Sequence, residues 1–327
     1  MARPTMEDVA ARAGVSRALV SLVMRGSPKV SAARRSAVLA AAAELGYSPH
    51  AMARSLASRT SHVLGVMVSD LHNPFWAEVV DGLDLYARDE GFELVINTGG
   101  RSPIRERQAL VSLASFRPAG IALLGPVVPS SAIESAAAEG PVVLVSRSSR
   151  SPVVDTVNDD GKIGSALAVD HLVSLGHKEI VHIDGGNGSQ SAPRRTGYRA
   201  AMARHGLTPR VVHGEYTEAA GAAAIRTLTA PFTAVVAAND LNAVGVLSAL
   251  AELGLRVPAD VSVVGYDNTW LAGLRHIGLT TIDQPRHEMG RLAAEALVAR
   301  VRGEAPKPAH LVVPPSLVVR SSTARLS

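Results

Sequence analysis

Apolar and polar residues recur with a helical period in the first sixty residues, in three blocks separated by glycine and proline. Residues that commonly cap helices open these blocks: Thr5, Ser16 and Ser31. Gly14 ends the first block and Gly46 ends the third. The pattern predicts three short helices, the first two joined by a turn that contains glycine.

The first two predicted helices and the turn between them have the form of a helix-turn-helix. In such a motif the second helix enters the major groove of DNA with its N-terminal end first, which places Ser16, Arg17 and Ala18 at the base edges. The Arg17 guanidinium has the geometry for a bidentate contact to guanine. Four residues are candidates for phosphate contacts: Thr5, Ser21, Ser31 and Tyr47.

Residues 49–59 follow the third helix and read Pro-His-Ala-Met-Ala-Arg-Ser-Leu-Ala-Ser-Arg. This stretch favours a helix but is too short to be stable alone in water, so it is a candidate for a segment that folds on DNA. Leu56 would then be an apolar wedge between minor-groove base steps, and Ala53 would let a partner helix approach closely. An ordinary linker is the alternative interpretation of the same residues.

From residue 61 onward, short apolar runs alternate with segments of helical period. Strands are predicted at Val63–Ser69, Phe92–Asn97, Ala119–Gly125, Pro141–Val145, Ile180–Ile183, Val211–His213, Ala234–Ala237 and Ser262–Tyr266. Helices are predicted at residues 73–90, Pro103–Phe116, Ser131–Ala138, Ile163–Leu175, Pro193–His205, Ala219–Leu228 and Asn242–Glu252. The two runs of this repetition predict an α/β fold class: a small all-α head followed by a two-lobed body with mostly parallel sheets and a cleft between the lobes.

Charge is distributed unevenly along the chain. Residues 1–60 hold nine Lys and Arg against three acids, whereas the whole chain has a formal net charge of +4, so the remainder is slightly acidic. A basic head on a near-neutral body indicates a polyanion partner at the head. The chain has no cysteine, no apolar run of membrane-spanning length and no secretion signal at its start, so we expect a cytoplasmic protein without disulfides.

Polar residues follow the predicted strands of the body, at the ends where ligands bind in open α/β sheets. They are Ser69, Asp70, Asn97, Thr98, Ser146, Arg147, Asp184, Asn239, Asp240, Asp267 and Asn268. Each could instead cap a helix or lie in a turn, but their convergence from both lobes favours a bound ligand. The sequence shows no phosphate-binding loop, no metal-ligand spacing and no catalytic triad, so we expect no cofactor, no metal and no catalytic residue.

Five segments of the head carry a resemblance to a known family: Thr5–Ser16, Val20-Ser21, Val30-Ser31, Leu45–Pro49 and Ala53–Leu56. They resemble the DNA-binding domain and hinge of the LacI family of bacterial repressors. Leu19, Leu22 and Arg25 stand where the family usually has Thr, Arg and Asn, and His50 replaces a usual Asn. We place Leu22, Arg25 and His50 in the predicted DNA-binding set, and these departures leave the operator sequence open.

Segments of the body resemble the same family: Asn73–Glu78, His171–His177, Arg194–Tyr198, Ala238–Asp240, Val264–Asp267 and Leu279–Ile282. The resemblance implies an effector-binding core similar to periplasmic sugar-binding proteins. The expected domains are a helix-turn-helix head (1–48), a hinge helix (49–60), an N-terminal lobe (61–157 with 287–313) and a C-terminal lobe (158–286 with 314–327).

Roles carried over from the family by motif define an effector site. Arg194 would grip the effector, Asn239 and Asp267 would bond its hydroxyls, Phe75 and Tyr216 would pack on it, Ser69 and Asp70 would lie at the mouth of the first strand, and Ser146-Arg147 stands where the family often has Asp-Arg. Paired donors and acceptors beside aromatic faces suit a sugar, although a purine-like ligand would use much the same groups.

Together these features predict a sequence-specific transcription regulator, a repressor and not an enzyme, whose operator affinity is controlled by a small polar effector. We expect a homodimer on a pseudo-palindromic double-stranded operator, nucleoid-associated when bound and without a membrane partner. Two other classes are a solute-binding protein, opposed by the basic head and the missing signal peptide, and a sugar-converting enzyme, opposed by the lack of a cofactor loop or metal set. Induction and co-repression both remain open.

Overall fold

The computed structural model describes residues 4–24, 27–47 and 61–326, which belong to a head ending at Ser61 and a body beginning at His62. In the head, the described residues form α1 Met6–Ala13, α2 Arg17–Met24 and α3 Ala32–Leu45. Their apolar faces share one small core, built mainly of Val9, Ala10, Val20, Val23, Val38, Ala41 and Ala42. The three predicted helices of the head are therefore confirmed.

The first lobe of the body contains one six-stranded sheet covered by helices. Its elements are β1 Val63–Val68, α4 Pro74–Asp89, β2 Glu93–Thr98, α5 Pro103–Ser115, β3 Gly120–Leu124, α6 Ser130–Glu139, β4 Val142–Val145, β5 Val154–Asp159, α11 Arg286–Val301 and β11 His310–Val313. The strand order is β11-β5-β4-β3-β1-β2, and every pair is parallel. Parallel strands are buried on both faces, which explains why most of them are continuous apolar runs.

The second lobe repeats this architecture. Its elements are α7 Gly161–Ser174, β6 Ile180–Ile183, α8 Ser191–Arg204, β7 Arg210–Val212, α9 Glu218–Thr227, β8 Ala234–Val236, α10 Asp240–Glu252, β9 Ser262–Asp267, β10 Thr280–Asp283 and β12 Ser316–Val318. The strand order is β12-β10-β9-β8-β6-β7, with only the β10–β12 pair antiparallel. The predicted α/β class with two lobes and mostly parallel sheets is confirmed.

The sequence pattern does not predict β5, and the reason lies in its side chains. Four of its six side chains are polar, and all four are buried: Asp155, Thr156, Asn158 and Asp159. Their polar atoms find distant partners: an Asp155 carboxylate oxygen accepts the Ala309 amide at 2.7 Å. A buried strand with mostly polar side chains carries no apolar run, so periodicity cannot reveal it. The elements after β9 are likewise absent from the predicted list.

The chain crosses between the lobes after β5, after β10 and after β11. β5 and β11 form one edge of the first sheet, and β10 and β12 form one edge of the second. The crossings therefore gather at one side of the body, and β2 and β7 form the opposite edges. No helix within residues 4–24, 27–47 and 61–326 has the length and apolar character needed to cross a membrane.

Close packing against α11 and a cap at its first turn hold α4 beside the cleft. A β-carbon placed on Gly82 of α4 would lie 2.0 Å from the backbone oxygen of His287, and one on Gly290 of α11 would lie 1.9 Å from that of Val79. Glycine at both positions lets the two helix backbones touch. Asn73 caps α4 by accepting the Phe75 amide at 3.0 Å, which brings the first turn of this helix to the cleft.

Candidate functional site

A cavity lies between the two lobes at the carboxyl ends of the strands. It encloses about 540 Å³ not filled by protein atoms, counting the part open to solvent. Its walls are Ser69, Asp70, Asn73, Phe75, Trp76, Arg101, Gly125, Val127 and Ser146 from the first lobe, and Gly188, Ser189, Gln190, Arg194, Tyr216, Asn239, Asp267 and Gln284 from the second. This is the position at which open α/β sheets bind ligands.

The structure brings together eight of the nine residues predicted to bind the effector. They are Ser69, Asp70, Phe75, Ser146, Arg194, Tyr216, Asn239 and Asp267. Arg147 is not among the lining residues. Its guanidinium instead donates to the backbone oxygens of Pro126 at 3.1 Å and Val128 at 2.5 Å. The expectation that Arg147 contacts the effector therefore lacks geometric support, because its guanidinium is engaged by these carbonyls and does not line the cavity.

Arg194 is held rigidly at the base of the cavity, where it is only 5% exposed. Its Nη1 donates to the Ala238 carbonyl at 2.7 Å, and its Nη2 lies 3.7 Å from Asp267 Oδ1. The guanidinium carbon lies 3.6 Å from the Tyr266 ring centroid and 5.6 Å from that of Tyr216. Two aromatic faces and a carboxylate thus fix the plane of this cation, as a precise hydrogen-bonding site requires.

Asp267 ends β9 in a strained conformation, with φ at 114°. Its Oδ1 accepts a hydrogen bond from Gln284 Nε2 at 2.5 Å, and its backbone oxygen accepts one from Arg286 Nη1. Burial raises the pKa of Asp267 to about 8, although the Arg194 cation opposes the shift. Strained residues persist where surrounding contacts over-determine them, and they concentrate at binding sites.

This carboxyl should make stability depend on pH. A carboxyl whose pKa is raised by folding stabilises the native state fully below its ordinary pKa of 3.8 and loses that contribution as the pH rises through about 8. We expect the Asp267→Asn variant to gain about 3 kcal/mol in unfolding free energy relative to wild type between pH 5 and pH 8, because one pKa unit corresponds to about 1.4 kcal/mol. Urea unfolding of both proteins at the two pH values measures this difference, and an unchanged difference would contradict the raised pKa.

Five buried polar atoms in the cavity wall have no hydrogen-bond partner among the described residues: Ser146 Oγ, Arg194 Nε, Tyr216 OH, Asn239 Nδ2 and Gln284 Oε1. Arg194 Nε and Asn239 Nδ2 can only donate, and Gln284 Oε1 can only accept. The two hydroxyls can do either. Buried polar groups are costly unless they are bonded, so this wall matches a ligand that both donates and accepts.

The neighbours of Asn239 and Tyr216 explain their orientation. Asn239 caps α10 through its Oδ1, which accepts the Asn242 amide at 2.8 Å, so its Nδ2 is left for the cavity. Tyr216 packs on Gly185 and Gly188, where an added β-carbon would lie 2.2 Å from the ring. The glycine-rich segment after β6 therefore serves to seat an aromatic ring.

Ser69 is part of the wall but has a structural partner. Its hydroxyl donates to Glu106 Oε1 at 2.9 Å, and Glu106 Oε2 accepts the amides of Val127 and Val128 at 2.7 and 2.8 Å. Burial raises the pKa of Glu106, with these hydrogen bonds opposing it. Sequence reasoning missed Glu106 because a carboxylate inside a helix gives no sign that it is buried.

Sequence reasoning also missed Asn73, Trp76, Arg101, Gln190 and Gln284 as cavity residues. Gln284 follows β10, a strand absent from the predicted list, so the rule that polar residues follow strands could not select it. Arg101 lies three residues after the end of β2 and could have been found by extending that rule. Gln190 donates to Asn158 Oδ1 at 2.9 Å across the first crossing between the lobes, a contact that local pattern cannot show.

In the head, the predicted base-reading residues lie at the start of α2. Ser16 caps this helix by accepting the Leu19 amide at 3.2 Å, and Ala18 is exposed. The Arg17 side chain is 69% exposed and pairs with Glu7 at 3.0 Å. Leu22 is half-buried and packs against the core of the head, as Leu19 does. The base-reading end of α2 therefore presents Arg17 as its exposed cation.

The structure describes some of the remaining residues that were predicted to contact DNA. Ser31 is exposed immediately before α3, whereas Ser21 and Tyr47 are half-buried. The Thr5 hydroxyl accepts the Asp8 amide at 3.3 Å and Asp8 Oδ2 accepts the Thr5 amide at 2.7 Å, which together form a capping box. Four predicted contacts lie outside the described residues: Arg25, His50, Ala53 and Leu56.

Because Thr5 is used as a cap, its removal should loosen α1. We expect Thr5→Ala in the full chain to cost about 1 kcal/mol, which corresponds to roughly fivefold faster amide exchange in α1. Thr5→Ser keeps the cap oxygen and serves as the matched control. Hydrogen exchange followed by mass spectrometry measures both, and equal exchange in wild type and Thr5→Ala would contradict the role of the cap.

The fold and sites define a regulatory protein with a helix-turn-helix head and a ligand cleft. Residues 5–50 match the family described as bacterial regulatory proteins, lacI family, and residues 169–323 match a periplasmic binding protein-like domain. The ribose operon repressor of Escherichia coli (strain K12) is 36% identical, and the match covers 97% of this chain and 99% of that protein. The chain therefore belongs to the LacI family of bacterial regulatory proteins, and it is a DNA-binding transcriptional regulator.

Solved structures agree over nearly the whole chain. The complex of the transcriptional regulator CelR with cellobiose is 35% identical, with a TM-score of 0.74, covering 98% of this chain and all of that one. The lac repressor dimer bound to operator and the anti-inducer ONPF is 31% identical, with a TM-score of 0.85 and coverage of 99% and 100%. The likeness thus extends over both the head and the body.

Proposed function

We propose that this protein is a homodimeric repressor whose affinity for a pseudo-palindromic operator is set by a small sugar bound in the interlobe cavity. The observation that carries the proposal is the set of five unpartnered polar atoms in the cavity wall, which includes fixed donors, a fixed acceptor and two hydroxyls. Sugar hydroxyls present donors and acceptors together, and the rings of Phe75 and Tyr216 offer apolar faces for the sugar ring.

The charges of the cleft favour an uncharged ligand. The Arg194 cation donates to the Ala238 carbonyl and stacks on Tyr266, Arg101 is paired with Glu215 at 2.8 Å, and Arg147 donates to the backbone carbonyls of Pro126 and Val128. A phosphate or carboxylate would need a cation that is free to neutralise it. A neutral polyol needs only hydrogen bonds, which the wall supplies.

The relatives support the repressor and dimer parts of the proposal. A ribose operon repressor and a lac repressor dimer on its operator are similar to this chain over nearly its full length. A two-fold dimer would place two heads on two operator half-sites. Coupling between the effector site and the DNA-binding site is reciprocal. If the effector changes the affinity for the operator by some factor, the operator changes the affinity for the effector by the same factor. Such a protein acts by binding, without catalysis, in the cytoplasm where the chromosome lies.

The test is to capture sheared genomic DNA on the purified full-length protein, with and without sugars. The panel contains ribose, glucose and cellobiose, each at millimolar concentration, and the captured DNA is sequenced. We expect enrichment of one pseudo-palindrome and a change in that enrichment with one of the sugars. Enrichment that is insensitive to every sugar and to a small-molecule extract of the host would contradict effector control. Absence of enrichment in all arms would contradict specific DNA binding.

A further inference from the structure

An ion pair joins the two lobes beside the cavity. Arg101 Nη2 lies 2.8 Å from Glu215 Oε2. Arg101 follows β2 of the first lobe and lines the cavity, whereas Glu215 follows β7 of the second lobe and precedes the cavity residue Tyr216. The two side chains are 29% and 56% exposed, so the pair lies at the mouth of the cleft.

The order of the strands places this pair where it opposes separation of the lobes most effectively. β2 and β7 are the edge strands farthest from the edges at which the chain crosses between the lobes. When the lobes separate about those crossings, the greatest displacement falls on the loops that follow β2 and β7. A contact between these loops therefore opposes opening more effectively than an equal contact near the crossings.

The backbone at Arg101 is held in a conformation that aims its side chain across the cleft. Its φ is 56°, in the left-handed region that glycine adopts readily, and it directly follows Gly99 and Gly100. Its amide donates to the Ser69 carbonyl at 2.8 Å, which ties the turn to the end of β1. A strained residue that is not glycine, anchored in this way beside a binding site, indicates that the side chain has a function.

A second contact between the lobes behaves differently. Arg286 of the first lobe donates from Nη1 to Asp283 of the second lobe at 2.8 Å, and from Nε to Glu78 Oε2 within its own lobe at 2.7 Å. These side chains are largely buried and lie beside the crossing that follows β10. This cluster lies at a crossing about which the lobes would rotate. Its contacts should therefore be the same whether the cleft is open or closed.

We propose that Arg101 and Glu215 form a gate that favours the closed cleft before any effector enters. The gate goes beyond the proposed function, since it does not require that the effector be a sugar. Because the pair is exposed, its effect is modest and depends on salt: its removal should lower the ratio of closed to open molecules by up to about fivefold.

The chain has no cysteine, so spin labels can be attached only where cysteines are introduced. We choose Ser112 on α5 and Ala223 on α9, which are both exposed and lie in different lobes. Double electron–electron resonance on the effector-free Ser112→Cys/Ala223→Cys protein reports the distance distribution between the lobes. The same measurement is made on this background with Arg101→Ala, with Glu215→Ala and with the charge swap Arg101→Glu/Glu215→Arg.

We expect both single variants to shift the population toward longer distances and the charge swap to restore it. Raising salt to about 1 M should shift the wild-type background and leave Arg101→Ala unchanged. The matched control is Arg226→Ala, which breaks an exposed 2.6 Å pair with Glu252 inside the second lobe and should leave the distances unchanged. Identical distributions for Arg101→Ala and its parent, or an equal shift in Arg226→Ala, would overturn the gate whether or not a sugar proves to be the effector.

Discussion

Replacing Arg194 with alanine should abolish the response to the effector while the protein still folds and binds its operator. The Arg194 side chain lies 3.7 Å from Asp267 and stacks on Tyr266, and its Nε is one of the unpartnered donors of the cavity. A hydrogen bond that involves a charged group contributes about 1.5–3 kcal/mol. The effector identified by genomic capture should therefore bind about 10- to 150-fold more weakly.

Isothermal titration of effector into wild type and variant measures this loss, and operator binding without effector shows whether the rest of the protein is intact. Arg199→Ala is the matched control, since Arg199 lies on the same helix and is exposed. Arg194→Lys should recover little, because an ammonium lacks the planar fork that stacks on a ring and bonds in its own plane. Wild-type affinity in Arg194→Ala would remove this residue from the effector site.

Replacing Arg17 with alanine should weaken operator binding by about 5- to 150-fold and relax the sequence preference at one base pair per half-site. Arg17 is the exposed cation at the start of α2, and a bidentate guanine contact accounts for about 1–3 kcal/mol of discrimination. Its pair with Glu7 is exposed on both sides, so breaking that pair on DNA costs little.

Fluorescence anisotropy with the captured operator, and with every single-base substitution of one half-site, measures both effects. Arg12→Ala is the matched control: Arg12 lies on α1 and is exposed, and its partner is Glu44 at 2.5 Å. A uniform loss of affinity on all sequences, with a shallower dependence on salt, would instead make Arg17 a phosphate contact.

The effector site shows how much can be predicted from the rule that ligand-binding polar residues follow the ends of parallel strands. Ser146, Asn239 and Asp267 all follow apolar runs, and the structure brings all three to one cavity. The reason is general, because parallel strands of a sheet end at the same edge. Gln284 was not selected because the strand before it reads Thr-Thr-Ile-Asp and so has no apolar run.

The same reasoning could not assign the hydrogen bonds that each side chain makes. Ser69 and Arg147 both follow apolar strands, as Asp267 does. The Ser69 hydroxyl donates to Glu106, and the Arg147 guanidinium donates to backbone oxygens. A sequence pattern gives the position of a polar group but not its partner, because the partner comes from a different element.

The amino-acid sequence by itself determined the helices of the head, the alternation of strands and helices, and eight of the seventeen residues that line the cleft. These follow from local periodicity and from capping residues, which act over a few positions. Only the tertiary structure decided which polar atoms are left for a ligand and that Arg101 meets Glu215 across 114 residues. The physical reason is that burial and pairing depend on neighbours supplied by distant parts of the chain.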